Sequence, residues 1–208
     1  MTLVNALKTC LALSAALTCA AAAHAEDNDN WVVKVGVHNV DPKSNNGSLA
    51  DGTLKTDVGS NAGLTFTAEY LLSPNWGVEA LAALPFEHDV KLNGVKAATT
   101  KHLPPTFSVQ YHFNPGGTVS PFVGVGINYT TFFNVHTSGP LAGAKLDLGD
   151  TFGAAAHGGV DFRLNERWLL TLDARWMSID PKAKVDGAKV GTVHIDPFVY
   201  GVAVGYKF

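Results

Sequence analysis

The sequence predicts an all-β protein, an eight-stranded antiparallel transmembrane β-barrel of the outer-membrane type with short periplasmic turns and long extracellular loops. Three features predict it: the alternation of the last strand, an N-terminal leader with a cleavage site, and a regular succession of tight turns and long polar connections. In Phe198-Val-Tyr-Gly-Val-Ala-Val-Gly-Tyr-Lys-Phe208, the residues Phe198, Tyr200, Val202, Val204, Tyr206 and Phe208 share one face. Val199, Gly201, Ala203, Gly205 and Lys207 share the other. Bulky apolar residues outward and small or charged residues inward suit a strand between lipid and a barrel lumen. The strand ending in Phe208 is also the segment expected to engage the outer-membrane assembly machinery.

At the other end, Lys8 precedes an apolar stretch from Leu11 to Ala23 that closes on Ala23-His24-Ala25, a small-x-small site for cleavage before Glu26. The expected organisation is a cleaved signal peptide over 1–25 and one barrel domain over 26–208. Cys10 and Cys19 are the only cysteines and both lie in the leader, so the exported chain would have neither a disulfide nor a thiolate metal site. Loss of the leader removes Lys8 and no acid, leaving 14 basic against 18 acidic side chains. That balance predicts no nucleic-acid partner. A composition 46% hydrophobic also fits a soluble protein, but after the leader no apolar run reaches the length of a spanning helix. Membrane crossing then falls to strands closed into a barrel, where every backbone polar group finds a partner within the protein.

Strands are predicted over 31–40, 62–72, 75–87, 102–113, 119–133, 151–163, 167–179 and 195–208. The second and third are joined by Ser73-Pro74-Asn75, the fourth and fifth by Asn114-Pro115-Gly116-Gly117-Thr118, and the sixth and seventh by Leu164-Asn165-Glu166. These residues preset or tolerate turn dihedrals and should face the periplasm. The connections 41–61, 88–101, 134–150 and 180–194 are rich in Asp, Lys, Gly, Asn and Ser and are read as irregular outer loops. Their broken alternation speaks against two further barrel strands. Trp31, Trp76, Tyr111, Phe113, Phe162, Trp168, Tyr206 and Phe208 fall near the periplasmic ends, as an interfacial aromatic girdle would.

With the bulky apolar set assigned to lipid, the inward set contains Lys34, Glu69, Glu79, Asp161, Arg163, Asp173, Arg175 and Lys207, four basic and four acidic. Isolated charges in a narrow interior are costly, so a paired network across the lower lumen is expected, as a plug or as an ion pathway. Toward the long connections the inward residues turn small or apolar and include Leu81, Ala83, Phe132, Met177 and Val199. A cavity so lined favours a small hydrophobic solute over a sugar or an ion. Pro85 faces Pro104 and Pro105, and none of the three can donate to a ladder. Either the two strands part there, or the prolines lie in the loop base beyond the hydrocarbon.

The histidines are scattered, without metal-ligand spacing on a strand face, so no metal and no cofactor is expected. Ser108 and His112 are the nearest approach to a nucleophile and base, and four residues of strand hold them about 13 Å apart. No enzyme is predicted.

Several segments resemble the outer membrane protein W (OmpW) family. They are Gly63-Leu-Thr-Phe-Thr67, Gly77-Val-Glu79 leading into Leu84-Pro-Phe86, His102-Leu-Pro-Pro-Thr106, the run from Pro121 to Phe133, Trp168-Leu169, Asp196-Pro197 and Gly205-Tyr-Lys-Phe208. The resemblance implies a Gram-negative outer-membrane channel that passes small hydrophobic molecules into a narrow apolar lumen, with lateral release through a gap in the wall. It would place Leu81 and Met177 at the lumen floor, Phe132 in the upper channel and Pro85, Pro104 and Pro105 at the gap. Arg175 departs from the bulkier apolar residue expected at its position. The competing expectation is a structural or surface-interaction barrel with a closed lumen, whose outer loops bind phage, toxin or host.

Overall fold

A computed structural model describes residues 30–208; the signal peptide expected over 1–25 lies outside the described residues. The strands are β1 (Trp31–Asp41), β2 (Ser48–Leu49), β3 (Leu54–Val58), β4 (Asn61–Leu71), β5 (Trp76–Ala83), β6 (Phe86–Leu92), β7 (Val95–Leu103) and β8 (Thr106–His112). They continue as β9 (Val119–Thr137), β10 (Leu146–Leu148), β11 (Thr151–Arg163), β12 (Trp168–Met177), β13 (Lys182–Val185), β14 (Ala188–Thr192) and β15 (Phe198–Lys207). Eight of them close an antiparallel barrel in the order β1, β4, β5, β8, β9, β11, β12, β15, the last returning to β1 with Val35 opposite Val204. This is the predicted all-β barrel.

Alternation is the cause of the closure. Val35 and Val37 of β1, Phe107 and Val109 of β8, Val123, Val125 and Ile127 of β9, and Val202 and Val204 of β15 are all exposed on the outside. Their strand neighbours Lys34, Ser108, Gln110 and Ala203 are buried inside. A contiguous apolar belt of this size would be a liability in water and is what a hydrocarbon layer requires. Trp31 packs on Tyr70, Trp76 on Tyr111 and Trp168 on Tyr206, each with ring centroids 5.0 Å apart, at the end that carries the tight turns.

The long connections are not irregular loops, which corrects the sequence reading. β6 and β7 form a hairpin over 86–103 that pairs on one side with β3 and on the other with the outer end of β9, while β10, β13 and β14 form a separate small sheet. The physical cause is turn chemistry: Asn93 and Gly94 have φ of 50° and 80°, and Asp186 and Gly187 have φ of 49° and 84°. Two left-handed residues in succession make the tight hairpin turn whose twist matches the flanking strands. The hairpin continues the sheet from the outer end of β9 and the small sheet lies beside it, so both cap the barrel and leave the eight-strand closure unaffected. Exposed ion pairs on the outer side of the hairpin, Glu87 with Lys101 and Asp89 with Lys96, place it beyond the hydrocarbon. Predicted strands three and four are each interrupted, at Leu84-Pro85 and at Pro104-Pro105.

Candidate functional site

Barrel strands direct every second side chain into the lumen, and at mid-height those side chains form a polar plug. Arg175 of β12 donates to Glu79 of β5 through Nη1 (2.5 Å) and Nη2 (3.3 Å), and to Asp173 through Nε (2.8 Å). The other oxygen of Asp173 bonds His38 Nε2 at 2.8 Å, and His38 Nδ1 reaches Thr65 at 2.6 Å. On the periplasmic side Lys34 donates to Asp161 at 2.9 Å, Thr171 donates to the same carboxylate, and His112 bonds Glu69 at 2.7 Å. Gln110 joins the two groups, with its amide nitrogen 3.0 Å from His112 and its oxygen 3.1 Å from His157. Gly124 permits this crossing, since a Cβ there would stand 2.3 Å from His157 Nε2.

Lys34, Glu69, Glu79, Asp161, Asp173 and Arg175 are thus brought together. Arg163 and Lys207 are not: Arg163 bonds the carbonyls of Pro115 and Gly116 in a periplasmic turn, and both residues border a vestibule of about 400 Å³ below the plug. There the lumen widens to water and a charge needs no buried partner. Sequence reasoning missed His38 and Gln110. Parity was the available signal, because His38 shares a face with Lys34, and Gln110 shares one with His112.

Above the plug the lumen turns apolar. Leu81, Met177 and Val199 are buried and, with Ala83, surround a small space of about 10 Å³ over Arg175. A second cavity of about 50 Å³ lies in the cap, walled by Leu54, Val90, Leu146, Val193 and Phe132, with His88, Thr100 and His102 as its polar members. His102 borders both spaces and Phe86 the lower one, the two rings stacked with centroids 5.7 Å apart, and Phe132 leans on His102 at 5.9 Å. Burial holds His102 at a pKa of about 3 and pushes that of His88 down, so both rings are neutral.

The wall beside these cavities is incomplete. Pairing between β5 and β8 ends at Leu81 opposite Thr106, and pairing between β6 and β7 begins at Phe86 opposite His102. Over Ala82–Pro85 against Leu103–Pro105 there is no ladder. Ala82 and Ala83 still pair with β4, and the Leu84 N–H donates to the Leu64 carbonyl. On the other side the Asn128 amide nitrogen lies 3.1 Å and 3.2 Å from the carbonyls of Pro104 and Pro105, and the Tyr129 N–H donates to the Pro105 carbonyl at 3.0 Å. A side chain of β9 therefore satisfies groups that a neighbouring strand would otherwise bind. Pro85 is exposed at this break, Pro104 is buried against the lumen, and Pro105 is half-buried.

His112 bonds Glu69, and Ser108 Oγ has no hydrogen-bond partner among the described residues, so the two do not form a nucleophile and base. Among the described residues one group has ligand atoms close enough for a metal, Asp180, His194 and Asp196 in the cap. His194 bonds Asp180, and Asp196 accepts from Lys43 at 2.7 Å and from the Ile179 N–H at 3.1 Å. The group acts as a clasp between cap segments.

Known proteins share this architecture. The OmpW family model matches residues 27–208. Outer membrane protein W of Vibrio cholerae serotype O1 is 37% identical over 95% of this chain and 97% of its own length. The crystal structure of the outer membrane protein OprG from Pseudomonas aeruginosa superposes with a TM-score of 0.78 at 34% identity, covering 86% of this chain and 95% of that one. The solution structure of Outer Membrane Protein W of Escherichia coli gives a TM-score of 0.63 at 35% identity, covering 86% and 97%. The closed barrel, its lipid-facing belt and these matches along nearly the whole chain show that it belongs to the OmpW family of Gram-negative outer-membrane β-barrels.

Proposed function

We propose that the protein is a passive, energy-independent conduit that takes small hydrophobic molecules from outside into the apolar upper lumen and releases them sideways into the membrane. The observation that carries this reading is a coincidence of height: the wall loses its ladder beside Pro85, Pro104 and Pro105, immediately above a plug that closes the way down. Leu81, Ala83, Phe132, Met177 and Val199 would line the path. A solute arriving over the Arg175–Glu79 pair meets desolvated charge below and lipid at its side, and an apolar molecule favours the lipid. A more distant relative, 25% identical over 97% of this chain, is named Dibenzothiophene metabolism operon protein PahQ in Pseudomonas aeruginosa; an apolar aromatic of that kind suits the lumen chemistry. The strand ending in Phe208 would be read by the assembly machinery that inserts the barrel.

Ligand sites for small molecules commonly measure about 300–1,000 Å³, against about 50 Å³ and 10 Å³ for the two upper cavities. Passage therefore requires the cap to open and the Phe86 and His102 rings to swing aside. The test is uptake of a small hydrophobic solute by cells with and without the protein. A variant with Pro85, Pro104 and Pro105 changed to alanine restores three N–H donors to the gap. Faster uptake that the variant loses supports the reading. No effect of the protein on uptake overturns it and leaves the surface-interaction role.

A further inference from the structure

The cap cavity has a polar atom that its own walls leave unserved. His88 is 3% exposed, and its Nε2 has no hydrogen-bond partner among the described residues. Its Nδ1 lies 2.5 Å from the Gly59 carbonyl oxygen. A carbonyl only accepts, so Nδ1 carries the proton, and in a neutral imidazole Nε2 is then a lone-pair acceptor. Burial keeps the ring neutral, because desolvation disfavours the imidazolium. The adjoining His102 ring stacks on His88 with centroids 4.9 Å apart and planes 21° from parallel. The walls around this pair are otherwise aliphatic or aromatic, with Val90, Leu146, Val193 and Phe132 among them.

From this atom we infer, as an extension that rests on the conduit reading, that the cap cavity, widened from about 50 Å³ as the cap opens, selects apolar molecules bearing one hydroxyl, an alcohol or a phenol, whose O–H donates to His88 Nε2. The hydrocarbon body lies against the aliphatic wall, and an aromatic body can extend the stack of Phe86, His102 and His88. A pure hydrocarbon leaves Nε2 orphaned, and an ether or ketone of the same size brings a second acceptor against it. A site with an unserved buried acceptor discriminates by the hydrogen bond that only one of two similar ligands supplies.

The test uses full-length barrel refolded in micelles, with p-cresol and its methyl ether, 4-methylanisole, as probes. Binding is measured by equilibrium dialysis, and the ratio of affinities is compared between the native chain and His88→Phe, so that differences in partition into the micelle cancel. The ratio should favour p-cresol about tenfold more in the native chain than in the variant. Histidine 15N resonances of the native chain give an answer independent of the variant's folding: the Nε2 signal of His88 should move with p-cresol and stay in place with the ether. Equal ratios, or an Nε2 signal unmoved by p-cresol, overturn the inference and mean that a trapped water serves the nitrogen. Influx into vesicles is read separately. Preferential binding without faster influx would leave the site standing and remove the conduit, and faster influx of both probes without preference would do the reverse.

Discussion

Arg175 offers the sharpest test of the plug. Arg175 is 4% exposed and its guanidinium makes three hydrogen bonds to two carboxylates, at 2.5 Å and 3.3 Å to Glu79 and 2.8 Å to Asp173. Arg175→Met keeps the stem and removes the cation, leaving Glu79, whose side chain is 1% exposed, with His157 at 4.0 Å as its nearest ion-pair partner among the described residues. Removing one partner of a buried ion pair typically costs about 3–5 kcal/mol, because the other charge remains desolvated. At about 1.4 kcal/mol for each factor of ten, the folded-to-unfolded ratio should fall by roughly a hundredfold to a few thousandfold. Equilibrium urea unfolding of the refolded barrel, followed by the emission of Trp31, Trp76, Trp168 and Trp176, measures it. Combining Arg175→Met with Glu79→Gln and Asp173→Asn should recover most of the loss, because the uncompensated charges go with their partner. A single variant within about 1 kcal/mol of the native chain, the range of a solvated pair, would refute the claim that these groups form a dry, closed plug.

Further predictions concern the cap and the wall. His102, at about pKa 3, and His88, also lowered, lie below the ordinary histidine value near 6.5. Their contribution is therefore fully present above about pH 6.5 and declines as pH falls toward 3; at pH 5 the loss is roughly 2 kcal/mol for His102. Protease sensitivity of the β6–β7 hairpin should rise between pH 7 and pH 5, and His88→Phe with His102→Phe should flatten that rise. Asn128→Leu should cost about 1 kcal/mol by removing its bonds to the Pro104 and Pro105 carbonyls and the acceptor of the Thr130 hydroxyl, while Thr106 Oγ1 and the Tyr129 N–H keep both carbonyls partnered, read as a lowered urea midpoint. Phe86→Ala removes a ring that is 2% exposed, lines the lower of the two cavities and stacks on the His102 that borders both, and should speed hydrophobic uptake severalfold while leaving plug stability unchanged.

The barrel was legible because lipid imposes strict alternation, as the run from Phe198 to Phe208 shows without help from any other part of the chain. Inward parity also brought Lys34, Glu79 and Arg175 into view, since a residue's face depends only on its place in the strand. Height within the lumen was harder to read, and that is why Arg163 and Lys207 seemed to belong with the plug. Their strands reach the open vestibule, and parity does not reveal where water begins. The cap was missed although Asn93-Gly94 and Asp186-Gly187 mark its hairpins, because Asp, Lys and Thr on the solvent face made 88–101 look like loop. The interrupted wall could be anticipated from Pro85, Pro104 and Pro105, whereas the role of Asn128 could not. Its partners are carbonyls more than twenty residues away, and the β8–β9 register that sets Asn128 opposite Thr106 brings them together.

Lateral release and passage through the plug differ in where a solute first arrives. Asymmetric vesicles with a lipopolysaccharide outer leaflet would carry the native protein, with one quencher fixed in the bilayer interior and another trapped in the aqueous interior. A fluorescent hydrophobic probe is added outside. Lateral release predicts that the bilayer quencher responds first, at a rate that falls to the protein-free level when Pro85, Pro104 and Pro105 are alanine. First response from the trapped quencher, at a rate indifferent to the prolines, would contradict the account and place the path through the plug.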